Sequence, residues 1–191
     1  MSKSNPRKAG AAFLPAPIPI PGTGETVQPF SLATYGILEK IGSPLVVPAQ
    51  GSVTALDLIP SLYVVTHDAE EVLAGDIAAD SVAWAKTLPP PALLPIEEAA
   101  RRQIGAVIDV LPESAKKKSR EGDGWIAEFA GWACEAYGWS WREVAFEVPA
   151  AALALLRRQW LRGRGEEFFL LSEIEAIDGR QRHPDKGHPR R

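Results

Sequence analysis

Apolar residues recur at three- and four-residue steps through the middle of the chain, the period of helices that bury one face. Leu32, Tyr35, Leu38 and Ile41 form one such stripe. Ser31 is placed to cap its start, and Gly42 and Pro44 to end it. Thr54 is set to cap a second helix carrying Leu58, Leu62 and Val65, in which Pro60 predicts a kink or a shifted start. Asp68 and Glu71 have capping-box spacing and predict a short helix to Ala74, closed by Gly75. Asp76 or Asp80 opens another around Val82, Ala83 and Trp84, which must stop at Pro89, Pro90 and Pro91.

The clearest helix is predicted over 96–111, where Ala100, Ile104, Val107 and Leu111 share a face. Pro95 precedes it and Pro112 ends it. Glu97–Arg101 and Glu98–Arg102 have the four-residue spacing of helical ion pairs. Residues 113–124 are polar and read as an exposed loop. Asp123 can cap a helix over 125–137, stopped by Gly138, with Ile126, Phe129, Ala130, Ala133 and Tyr137 on one stripe. Trp125, Phe129, Trp132 and Ala136 form an adjoining stripe, so this helix needs burial on more than one side. Ser140 and Glu143 repeat the capping-box spacing ahead of Trp141, Val144 and Ala145. Pro149 suits the first position of the following helix, in which Leu153, Leu156 and Trp160 line one face and Arg158 and Arg162 another, with Gly163 and Gly165 as breakers. A last helix is predicted over 166–177.

No alternating strand pattern of useful length is present, and the best strand candidate, 44–48, is bracketed by prolines. The expected fold is all-α. Residues 1–29, with six prolines, form an arm that is disordered or extended along another surface. Residues 30–88 form an N-terminal helical part, 89–95 a proline spacer, and 96–177 a C-terminal helical part. Residues 178–191 are too polar to order themselves and form a disordered tail.

Composition narrows the function more than the fold. The chain has 191 residues and a formal net charge of −3, with one cysteine, Cys134, and three histidines. A single cysteine excludes an internal disulfide and a four-thiolate zinc site. The near-neutral balance gives no strong drive toward nucleic acid. No apolar run reaches the roughly 20 residues of a membrane helix, and the prolines at 15, 17, 19 and 21 argue against a secretion signal. These proportions point to a soluble intracellular protein without the equipment of an enzyme.

Candidate chemistry is correspondingly sparse. His67 lies at a predicted helix end, where it can bond terminal carbonyls, and no nucleophile motif accompanies it. His183, Asp185 and His188 share a proline-broken tail and make a poor preformed metal site. Gly22-Thr23-Gly24 lacks the rest of a phosphate-binding fingerprint, as does Gly163-Arg164-Gly165. Lys116, Lys117, Lys118 and Arg120 read as a solvated loop, and Cys134 as a small buried hydrophobe. No cofactor and no metal are expected. The tryptophans carry more. Trp125 and Trp132 fit a core, whereas Trp139 and Trp141 flank Ser140 in a turn and are candidates for contact with another protein.

The segment Ala136-Tyr137-Gly138-Trp139-Ser140-Trp141-Arg142-Glu143-Val144-Ala145-Phe146-Glu147-Val148-Pro149 resembles the C-terminal part of the tail assembly chaperones of tailed bacteriophages and prophages. The stretches Leu38-Glu39-Lys40-Ile41-Gly42-Ser43-Pro44, Thr54-Ala55-Leu56-Asp57 and Leu62-Tyr63-Val64-Val65-Thr66 are similar to the N-terminal part of such proteins. The resemblance implies a small, helical, non-enzymatic protein of the bacterial host's cytoplasm. It implies binding of the tape measure protein, and of tail tube subunits, before the tube assembles, with self-association as a further expectation. It draws attention to Trp139, Trp141, Arg142, Phe146 and Pro149 as partner-binding residues. A different reading takes 125–137, the turn at Gly138 and the helix from Ser140 as a helix-turn-helix of a DNA-binding regulator or packaging subunit, with Arg142 as its one base reader. An enzyme of another type ranks below both, for want of a paired acid and base.

Overall fold

Short polar side chains start most of the helices by accepting hydrogen bonds from amides that have no carbonyl within the helix. In the computed structural model, which describes residues 16–47, 52–108 and 125–165, Ser31 accepts from Thr34 N and opens α1, Leu32–Lys40. Thr54 and Asp57 form a reciprocal capping box at the start of α2, Ala55–Thr66. Asp68 caps α3, Ala69–Ala74, and Asp76, rather than Asp80, caps α4, Ile77–Ala85. Pro60 does not end α2, whose helical conformation continues to Thr66.

A 3₁₀ turn at Pro90–Ala92 leads directly into α5, Leu93–Ile108. Pro95 therefore falls inside the first helical turn, where its missing N–H leaves no bond unmade. The helix α6, Trp125–Tyr137, ends at Gly138, whose φ of +66° is the left-handed conformation that glycine adopts at least cost. A π-helical turn, Glu143–Glu147, follows the Ser140 cap, and α7 runs over Ala150–Gly163 with Pro149 as its N-cap residue. The N-terminal cap expected at Asp123, the loop over 113–124, the helix over 166–177 and the tail over 178–191 lie outside the described residues.

Among the described residues the fold is all-α apart from one small antiparallel ladder, β1 Ile18–Pro19 with β2 Thr26–Val27, in which Ile18 faces Val27 and Pro19 faces Thr26. The expected strand candidate over 44–48 is not a strand in its described part. Pro44, Leu45 and Val46 turn back on Ser43, whose carbonyl accepts from Val46 N at 3.1 Å and from Val47 N at 2.9 Å, while its own amide donates to Leu38 O at 2.8 Å. The ladder instead falls within the proline-rich arm. Glu25 supports its turn, since Ile20 N donates to Glu25 O at 2.9 Å. The described part of the arm, 16–29, is extended and laid on the body: Ile20 and Val27 are buried, and Gln103 Nε2 donates to Ala16 O at 2.8 Å.

One cluster of buried apolar side chains runs through the molecule and draws on residues from both sides of Pro89–Pro95, among them Phe30, Leu38, Leu62, Ile96, Phe129 and Leu153. Helix α1 lies against α2, α3, α6 and the π turn, while α5 packs on α2, α7 and β2. The backbone ties the two halves together as well, since Ala150 N donates to Phe30 O at 2.7 Å beside a bridge between Ser31 and Pro149.

Candidate functional site

The turn after α6 divides the five expected contact residues between the core and the surface. Ser140 and Glu143 form the expected capping box: Glu143 N donates to Ser140 Oγ at 3.2 Å, and Ser140 N donates to Glu143 Oε2 at 2.9 Å. That cap fixes where the next helical turn begins. The turn then buries Val144 and Ala145 against α1 and leaves Trp141 outside, 53% exposed. Phe146 is half-buried and packs against the core cluster, and Pro149 is half-buried beside Ser31. Phe146 and Pro149 thus brace the fold, and Trp141 and Arg142 are the members of the set presented to solvent.

Arg142 is held in place by carboxylates from two elements. Its Nη2 donates to Glu70 Oε2 on α3 at 2.6 Å, and its Nη1 to Glu147 Oε1 at 3.3 Å. The hydrogen bond and charge of Glu70 push the guanidinium pKa up. Such exposed pairs add little stability, but they set the direction of the side chain. Leu73, one turn after Glu70 on α3, is also 53% exposed.

Trp139 joins a different aromatic run. It stacks on Tyr137 with ring centroids 4.9 Å apart, Tyr137 meets Trp132 edge-on at 5.6 Å, and Trp132 meets Trp160 of α7 at 5.9 Å. Burial pushes the Tyr137 phenol pKa up. Trp132 is buried as expected, and Cys134 is half-buried against the same cluster. The Trp125 side chain lies outside the described residues. The arginines on this run were not singled out from the sequence. The Arg157 guanidinium sits 4.7 Å from the Phe129 ring centroid and 5.5 Å from that of Trp132, and Arg164 lies 3.8 Å over Trp160. The signal was present in the sequence as four arginines, at 157, 158, 162 and 164, without one carboxylate between 150 and 165.

His67 ends α2 with Nδ1 2.9 Å from Tyr63 O, the expected helix-end contact. Its ring packs with those of Tyr63, at 4.2 Å, and Trp84, at 5.8 Å, which also meet each other at 5.9 Å. Trp84 Nε1 donates to Glu25 Oε1 at 2.9 Å, so this aromatic group also fastens the arm. Among the described residues no three His, Cys, Asp or Glu side chains are grouped to hold a metal, and no helix is long and apolar enough to cross a membrane. His183, Asp185, His188 and the lysines at 116–118 lie outside them. Compared with known proteins, the chain matches no family model, no curated protein and no solved structure.

Proposed function

We propose that the chain is a tail assembly chaperone of a tailed bacteriophage or prophage, a non-enzymatic protein that binds the tape measure protein, and tail tube subunits, in the cytoplasm of the bacterial host. The reading rests on the resemblance carried by 136–149. The observation that supports it most is the exposure of Trp141 beside Arg142 in that segment. A coating protein needs apolar contact surface that its own core does not use, and an indole at a helix start with a neighbouring guanidinium supplies it. The helix-turn-helix reading gains nothing comparable. Its one base reader, Arg142, is already engaged by Glu70 and Glu147, and the helix that would enter the groove is a π turn of five residues.

Co-expression of the full chain with a tape measure protein tests this. The two are expected to co-purify, and Trp141→Ala to reduce recovery at least several-fold while leaving the melting temperature near that of the parent, since the indole is mostly in solvent. Failure of the folded parent chain to retain the tape measure protein, or full retention by Trp141→Ala, counts against it.

A further inference from the structure

Proline is a poor strand residue, because it has no N–H to give to a ladder. Yet β1 lies in the run Ala16-Pro17-Ile18-Pro19-Ile20-Pro21, where every second residue is proline. The register explains how the run can pair. Ile20 N donates to Glu25 O at 2.9 Å. Bonded and non-bonded residue pairs alternate along an antiparallel ladder. Ile20–Glu25 and Ile18–Val27 are therefore the bonded pairs, with Pro19–Thr26 between them. The backbone nitrogen and carbonyl of Pro19 then point away from β2. Pro17 shares that direction, and Pro21 follows at the end of the strand.

Side chains keep the same alternation. Ile20 is buried and Ile18 half-buried, while Pro17, Pro19 and Pro21 are exposed. Among the described residues the sheet has two strands, and it is β2 that packs on α2 and α5, so β1 is the outer strand. Its outer edge offers carbonyls and no N–H. A strand added there would both give and take hydrogen bonds, and every bond that needs a donor from β1 is impossible. Prolines moved by one position would have the opposite effect. They would delete the bonds to β2 and leave the outer edge complete.

We propose that Pro17, Pro19 and Pro21 form an edge guard, which stops the arm from pairing with the arm of a second copy of this chain. Without it, a short β-branched strand held rigid on a folded body would be a ready template for edge-to-edge association. The prolines remove the donors and leave the isoleucines free to join the core. Self-association, where it occurs, then proceeds through other surfaces. The proposal is independent of the tail assembly reading, since it concerns what the arm excludes and not what the chain binds.

Restoring the donors in the full chain tests it. Pro17→Thr with Pro19→Thr returns two outward N–H groups without adding apolar surface. At about 100 µM its weight-average mass by light scattering is expected to exceed that of the parent by about 1.5-fold or more, and to return to the parent value on dilution. The new amides at 17 and 19 are expected to exchange about tenfold more slowly in the concentrated sample than in the dilute one. Pro19→Thr alone decides the matter should the double variant fail to fold by circular dichroism. A mass equal to that of the parent at both concentrations overturns the proposal. So does a raised mass with freely exchanging amides at 17 and 19, which would place the new contact elsewhere.

Discussion

Asp57 shows how a single exposed side chain can carry a measurable signature. It accepts from Thr54 Oγ1 at 2.7 Å and from Thr54 N at 2.8 Å. The side-chain bond first, and then the backbone bond, hold its carboxyl below the usual value of 3.8. A depressed carboxylate stabilises the folded state above its unfolded pKa, and that contribution is lost as pH falls through the folded value. The stability gap between the parent and Asp57→Asn is therefore expected to stay constant from neutral pH to about pH 5 and to close in stronger acid. Urea midpoints measured across that range check it, and a gap that widens in acid would contradict the assignment. At the same scale, Trp132 Nε1 and Arg157 Nη1 show the reverse situation, buried donors with no acceptor among the described residues.

A glycine at the end of a helix and one in its middle give predictions of opposite sign from the same substitution. Gly138 holds φ at +66°, and a Cβ there would meet no atom within 4 Å. The cost of Gly138→Ala is then purely conformational, about 1 kcal/mol. Gly131 sits in the middle of α6, with equally open space around a new Cβ and no positive φ. Gly131→Ala is expected to stabilise by about 0.5–1 kcal/mol through helix propensity. Chemical denaturation of the two variants reads both signs. The π turn makes a related point. Val148 N reaches back to Glu143 O at 3.0 Å, and the wider turn buries Val144 and Ala145 while Trp141 stays outside. Capping residues announced that a helix would begin at Ser140; its width depended on what α1 offered it to pack against.

The described residues are held by one continuous core, and residues 16–29 of the arm are part of it. Val27 is 0% exposed, Trp84 binds Glu25, and Gln103 binds the Ala16 carbonyl. Truncating Val27 to Ala is expected to cost about 2 kcal/mol. That loss should appear as one earlier transition in both tryptophan fluorescence and far-ultraviolet circular dichroism, because halves that share a core unfold together. A lowered transition in one signal alone would mean that the arm is merely appended.

The helices were legible because their information is local. Caps at Ser31, Thr54, Asp68 and Ser140, stops at Gly42, Gly75 and Gly138, and stripes at helical spacing involve residues a few positions apart, and the amides they satisfy are fixed by the chain itself. Trp139 and Trp141 were equally visible as turn residues. Tertiary structure decided which of them stacks on Tyr137 and which meets solvent, and it turned Phe146 and Pro149 inward. It also placed an antiparallel ladder in a proline-rich arm, because that pairing depends on the surface offered by α2 and α5 and not on any alternation in 16–29. The joining of α6 aromatics to α7 arginines has the same origin: Phe129 and Arg157 are 28 positions apart, and only the packing of two helices brings their rings and charges into contact.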